Sequence, residues 1–272
     1  MKGRTRGSVG LVGRLAKTSE NHGEAAGPVF SGDHADPDRA EPDELVVVTF
    51  NLHFGRAVDV AIESFANVQP LPEAGIILLQ EMSESGVERF ARAAGYNYLY
   101  YPASVGRGGD NFGNAVLARW PISNPIKLIL PGLHPVTGQQ RTATGASVAI
   151  GGKSVHIYST HIEVSTAPPS FRARQALAIL DHIPEDAERV IVGGDFNAVT
   201  WFGVRALRGL FSRRALEPAT LGLGATYRRF GVRPSATDHI FARGLERTAA
   251  GVLREVKGSD HYPVWVRFRC GA

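Results

Sequence analysis

Unbroken apolar, β-branched runs recur along this chain, and each opens into polar residues. Leu45-Val46-Val47-Val48-Thr49-Phe50 leads to Asn51 and His53, and Gly75-Ile76-Ile77-Leu78-Leu79 leads to Gln80 and Glu81. The run ending at Ser159 leads to Thr160 and His161, and Arg189-Val190-Ile191-Val192 leads through two glycines to Asp195 and Asn197. Asp238 and His239 precede Ile240-Phe241-Ala242, and Asp260-His261 precede the last run. A strand exposed on one face alternates apolar with polar residues, whereas a strand covered on both faces reads as a continuous apolar run. The chain therefore needs layers on both sides of its strands. In α/β sheets ligands gather where strand ends open into loops, so the repeated polar ends point to one shared cleft.

The intervening sequence supplies the covering helices. Val58, Ile62, Phe65 and Ala66 recur at helical spacing within 58–68, Ser83 opens a helix over 83–94, 170–182 is amphipathic, and a short helix falls near 203–210. Further strands are expected at 115–118, 126–130, 143–150, 154–160, 238–241, 252–256 and 263–268, with Gly151-Gly152 as a two-residue hairpin turn. No repeat or long Gly/Pro linker divides 44–272, which reads as one α/β domain. Residues 1–43 are rich in Gly, Ser, Ala and charge without a sustained pattern, and are expected to be a disordered tail.

Composition narrows the setting. The stretch 8–15 is too short and Gly-rich for a secretory signal, and no run of about 18 apolar residues is present to span a membrane. The single Cys270 excludes an internal disulfide and a thiolate metal site, so a cytoplasmic protein is expected. The net charge is +4; the first 42 residues hold six Lys/Arg and six Asp/Glu, so the excess belongs to the remainder, where a polyanionic partner is admissible. Arg213-Arg214 and Arg228-Arg229 read as solvated surface.

Each polar strand end has a plain reading of its own. Asn51 or His53 could close a turn, Glu81 could cap the helix at Ser83, and Asp195, Asp238 and Asp260 could be turn formers. Taken together, one acidic and imidazole-lined site accounts for all of them. On an extended segment Asp195 and Asn197 share a side with Phe196 turned away, and Gly193-Gly194 would let the backbone approach a phosphate. Carboxylates without thiolates suit a hard cation such as Mg²⁺ or Mn²⁺, which in turn suits a phosphoester. No GxSxG elbow or GxxxxGK[ST] loop occurs, which sets aside a serine hydrolase and a P-loop NTPase. An Asp-His hydrogen bond to His261 is expected from another strand end rather than from its neighbour Asp260.

Thr49-Phe50-Asn51, Leu79-Gln80-Glu81, 113–121, Ser159-Thr160-His161, Gly194-Asp195-Phe196-Asn197, Thr237-Asp238-His239-Ile240 and 258–263 resemble, in order and spacing, the motifs of the endonuclease/exonuclease/phosphatase superfamily, which includes DNase I-like enzymes. The resemblance spans about 44–269. It implies an α/β fold of two packed mixed β-sheets flanked by helices, a four-layer sandwich with the site at one edge. It assigns Glu81, Asn51 and Asp260 to a Mg²⁺ (or Mn²⁺) site. Asp195 is implied for water activation, Asn197 and His161 for phosphate contact, and Asp238 for support of His261, which acts on the phosphate. Asn114 and Arg141 are weaker supporting candidates. The implied activity is a metal-dependent phosphodiesterase acting on nucleic acid, with a phospholipid or inositol phosphate as the alternative and a non-catalytic nucleic-acid-binding module as a reading of another class. Trp201 and Phe202, which could meet a base or a lipid, are expected in the core.

Overall fold

The computed structural model of the protein describes residues 20–106, 108–164, 166–228 and 234–270. The strands are β1 (Glu20–Asn21), β2 (Phe30–Gly32), β3 (Glu44–Asn51), β4 (Ala74–Met82), β5 (Asn97–Val105), β6 (Asn111–Ala118), β7 (Ile122–Leu133), β8 (Gln140–Ile150), β9 (Lys153–His161), β10 (Arg189–Asp195), β11 (Glu217–Pro218), β12 (Asp238–Arg243), β13 (Glu246–Val252) and β14 (Val264–Arg269). The α-helices are α1 (Val58–Asn67), α2 (Glu84–Ala94), α3 (Pro169–His182) and α4 (Trp201–Ser212). One sheet runs β1-β5-β6-β4-β3-β14-β13, with β2 also on β5; the other runs β11-β12-β10-β9-β8-β7. Both are mixed. In the first, β3 and β4 are parallel and joined through α1; in the second, β9 and β10 are parallel and joined through α3.

The unbroken runs are explained by three cores. In β3, Leu45 and Val47 face a core between the two sheets, while Val46, Val48 and Phe50 face a core shared with α1 and α2. In β10, Ile191 faces the inter-sheet core, whereas Val190 and Val192 face a third core under α3 and α4. Every second side chain is thus buried on each side, giving the four layers helix, sheet, sheet, helix.

Register then gathers the strand ends. Asn51 pairs with Gln80, and Asp195 pairs with both His161 and Asp238. Buried polar struts join the sheets at this end. The Gln80 amide donates to Ser159 Oγ at 3.1 Å and Ser159 Oγ donates to the Leu79 carbonyl at 3.2 Å, while Thr49 Oγ1, in the same sheet as Gln80, donates to Gln80 Oε1 at 3.3 Å and orients the amide. The glycines before Asp195 are required by this packing. A Cβ on Gly193 would lie 2.5 Å from Leu78 of the opposite sheet, and one on Gly194, at φ +151°, would lie 1.8 Å from the Thr160 carbonyl oxygen.

Several expectations need correction. Glu20 onward is part of the fold: β1 and β2 pair with β5, and the Lys127 ammonium donates to the carbonyls of His22 and Gly27 at 2.8 and 2.7 Å. The structureless tail expected through 43 therefore does not include residues 20–43, and the part of that expectation on residues 1–19 lies outside the described residues. The strand expected at 252–256 is instead β13, ending at Val252; Leu253 and Val256 turn inward onto the core under α1 and α2. Trp201 and Phe202 are 66% and 76% exposed, because α4 buries its other side through Leu207 and Phe211.

Phe196 ties core to site. It is fully buried between Asp195 and Asn197, with ring centroids 5.3 Å from Phe241 and 5.6 Å from Phe211. Phe196→Ala is expected to lower unfolding stability by about 3–5 kcal/mol, measured by denaturant titration, because it leaves a cavity in a close-packed aromatic cluster.

Candidate active site

Five strand ends and the loop before β14 meet in a cleft of about 410 Å³. Asn51, at the end of β3, is fully buried, and its amide nitrogen lies 3.2 Å from both Glu81 Oε1 and Asp195 Oδ2. Its carbonyl oxygen accepts from the His53 N–H at 3.0 Å. One side chain thus braces a carboxylate from each sheet. Glu81 sits at φ +58° where the β4–β6 pairing is irregular, and its other oxygen accepts the Phe54 N–H at 3.1 Å. The helix cap is Ser83, whose hydroxyl accepts the Gly86 N–H, which leaves Glu81 free to face the cleft.

Asp195 ends β10 and accepts the Asn197 N–H at 2.9 Å, forming a tight turn that places Asn197 at φ +48°. Asn197 reaches the cleft through this turn, and its amide donates to the Ile162 carbonyl at 3.1 Å. Asp238 Oδ2 accepts from Thr226 Oγ1 at 2.6 Å, Thr237 Oγ1 at 2.9 Å and His261 Nδ1 at 2.8 Å. The Asp partner of His261 therefore comes from another strand end. With Nδ1 committed, His261 turns Nε2 toward Asp195 Oδ2, 3.7 Å away. His161 Nε2 lies 3.6 Å from the same oxygen, and its Nδ1 lies 3.8 Å from Glu81 Oε1.

The two imidazoles are electrically opposite. Burial works against charge on His261, but Asp238 and Asp195 outweigh it and push the imidazole up to about 10. Burial, with Arg141 and His261 nearby, holds His161 well below the ordinary value, so it is neutral. Burial also raises the Asp195 carboxyl to about 7, against the pull of His261.

Asp195, Asp238 and His261 have ligand-capable atoms within 4.8 Å of one another. Hydrogen bonding commits Asp238 Oδ2 and His261 Nδ1 to each other, which leaves Asp238 Oδ1, buried without a partner, and a cationic imidazole that is a poor ligand for a hard cation. Glu81 and Asp260 fit one better. Both line the cleft, and Asp260 Oδ1 is buried without a hydrogen-bond donor, its nearest partner being His53 Nδ1 at 3.2 Å.

The sequence profile described as the Endonuclease/Exonuclease/phosphatase family matches residues 48–261. The chain belongs to the endonuclease/exonuclease/phosphatase family. This membership makes it a phosphoester hydrolase, of a family that generally depends on a divalent metal. Among solved structures, this family member resembles the endonuclease/exonuclease/phosphatase family protein from Leptotrichia buccalis, at 17% identity and TM-score 0.67 over 82% of this chain and 99% of that one. It also resembles D. rerio TDP2 complexed with single-strand DNA product, at 18% identity and TM-score 0.65 over 84% and 99%. A mannosyl-6-phosphatase from Bacteroides thetaiotaomicron is similar at 19% and 0.64 over 82% and 99%. At these identities the likeness is one of fold. No curated protein matches in sequence. No helix among the described residues is long and apolar enough to cross a membrane.

Of the residues expected at the family site, Glu81, His161, Asp195, Asn197, Asp260 and His261 line the cleft, with Asn51 and Asp238 directly behind them. Asn114 does not reach it; its amide donates to the Thr142 carbonyl at 2.8 Å and joins β6 to β8. Arg141 does reach it, 3.4 Å from His161 Nδ1 and 3.3 Å from the fully buried Glu163. His239 faces the other way, beside Phe196 and Phe241. Sequence reasoning missed His134, whose Nδ1 accepts the Val136 and Thr137 N–H groups at the cleft wall, and Tyr227, whose ring lies 4.8 Å from that of His261. His134 sits on a turn with no periodic signal, whereas Thr226-Tyr227 is a β-prone pair that could have been noticed.

Both His261 and Asp195 have folded-state values above their ordinary 6.5 and 3.8. Their protonated forms therefore stabilise the fold fully below those ordinary values, and the contribution is lost as pH rises through about 7 for Asp195 and about 10 for His261. Thermal melts of the metal-free protein are expected to fall across that window. In NMR titration His261 should keep its proton until about pH 10, with Asp238→Asn moving the midpoint downward.

Proposed function

We propose that this hydrolase is a divalent-metal-dependent phosphodiesterase that uses water as nucleophile. The observation that carries the reading is the convergence of one carboxylate poised near neutrality, Asp195, on a protonated His261 and a neutral His161 in a single cleft. A base with its pKa near the working pH removes a proton from water most effectively, which suits Asp195. His261, kept cationic by Asp238, donates from Nε2 to a non-bridging phosphoryl oxygen as negative charge grows there. Asn197 lines the cleft with one amide proton given to the Ile162 carbonyl, and its other amide proton would serve the same phosphoryl group. Neutral His161, held beside Arg141, contacts the phosphate or assists the leaving oxygen.

Glu81 and Asp260, with the Asn51 carbonyl oxygen, would hold Mg²⁺ or Mn²⁺. Such an ion, when bound, neutralises phosphoryl charge and lowers the pKa of water. Asn51 links Glu81 and Asp195 through its amide.

For substrate, nucleic acid is supported by the basic balance of residues 43–272 and by the fold shared with the DNA-bound TDP2. A phospholipid is supported by a different observation, the exposed apolar side chains at the cleft mouth, among them Phe54 and Val199. The protein is expected to act in the cytoplasm.

The test is a panel of plasmid DNA, abasic DNA, RNA, phospholipid and inositol phosphates assayed with Mg²⁺, Mn²⁺ or EDTA. Asp195→Asn and His261→Ala are each expected to lower kcat by about 10²–10⁴-fold, and EDTA to abolish turnover. Full activity in EDTA would remove the metal from the reading. Tight DNA binding with no cleavage of any substrate would leave the binding module in its place.

A further inference from the structure

The cleft mouth carries apolar side chains that are left exposed among the described residues. Phe54 and Val199 line the cleft and are 57% and 42% exposed, and Val136, between the cleft residues His134 and Thr137, is 64% exposed. Trp201 and Phe202 follow Val199 almost directly. Thr200 Oγ1 accepts the Gly203 N–H at 3.1 Å, so both rings project from the fixed first turn of α4. The Arg205 guanidinium lies 5.4 Å from the Trp201 ring centroid. Arg205 and Arg208 stand four and seven positions after Trp201, on the same helix face, and both are exposed. From Phe196 to Leu216 there are four arginines and no acidic residue. Clustered exposed apolar side chains with cations around them mark an interaction surface.

We propose that this face docks on an anionic lipid bilayer. Trp201 and Phe202 enter the boundary between headgroups and acyl chains, Arg205 and Arg208 meet lipid phosphates, and the cleft mouth is held against the surface. In its substrate, a lipid headgroup phosphodiester, the proposal rests on the phosphodiesterase reading, but docking itself needs no turnover. The side-chain chemistry favours a bilayer over single-stranded nucleic acid. Val136 and Val199 offer no planar face to a base, and the Trp201 and Phe202 rings meet at 78°, which makes no parallel stacking platform.

The test is co-sedimentation of the full chain with vesicles of phosphatidylcholine alone and of phosphatidylcholine mixed with phosphatidylglycerol, together with tryptophan emission. Expected are preferential binding to the anionic vesicles, a blue shift of emission, and a loss of about tenfold or more in affinity for Trp201→Ala/Phe202→Ala and for Arg205→Glu. Hydrolysis of the small soluble diester bis(p-nitrophenyl) phosphate should be unchanged in these variants, which also reports their folding. Equal partitioning of wild type and variants overturns the proposal. So does variant-sensitive binding of a single-stranded oligonucleotide without vesicle binding, which would assign the face to nucleic acid. Variant-sensitive vesicle binding with no diester cleaved would uphold docking while removing the hydrolytic reading.

Discussion

Holding carboxylates from two separate sheets, Asp195 buried and Glu81 partly so, within hydrogen-bonding reach of one amide is the constraint on which this structure turns. Glu81 belongs to one sheet and Asp195 to the other, and Asn51 donates to both. Like charges brought together out of water repel, so the arrangement needs donors and a counter-charge. Asn51 supplies the donor, and His261, charged by Asp238, supplies the positive end. The sheets must also keep their spacing, which falls to the Gln80–Ser159 strut and to the close approach at Gly193.

The electrostatic design is one of opposites maintained by packing. His161 and His261 both point at Asp195 Oδ2, yet one is neutral and the other charged. The difference lies in what stands behind each ring: the Arg141 guanidinium behind the first, the Asp238 carboxylate behind the second. A site built this way has its acid and base assigned before any substrate arrives.

Much of this was legible in the sequence because the runs 45–50, 75–79 and 189–192 are apolar on both faces and stop where chemistry begins. Strand ends at a sheet edge are where polar groups can be presented without being orphaned in the core, so Asn51, Glu81, His161 and Asp195 stood out. Other parts were hidden for physical reasons. The β5 run has Tyr98, Tyr100 and Tyr101 to mark it, but Pro102 and a neighbouring Asn97 blur it. Edge strand β13 is half-exposed, and its polar residues carry no strand signature. Residues 20–43 are too polar to look structured, since they are held by backbone pairing and single side-chain anchors rather than by a core of their own. Trp201 and Phe202 look like core residues by composition, yet a short helix buries only one stripe.

The anchoring of that early segment bears on where the functional unit begins. Asn21 donates to the Gly138 carbonyl at 2.8 Å and accepts the Gln140 N–H at 2.8 Å, so it grips both ends of the turn that carries Gln139 into the cleft wall. The segment around Asn21 is thus a splint for the substrate side of the molecule. A shortened version starting at residue 44, just ahead of the family-profile match at 48–261, would keep every site residue and lose the support beneath one wall of the cleft.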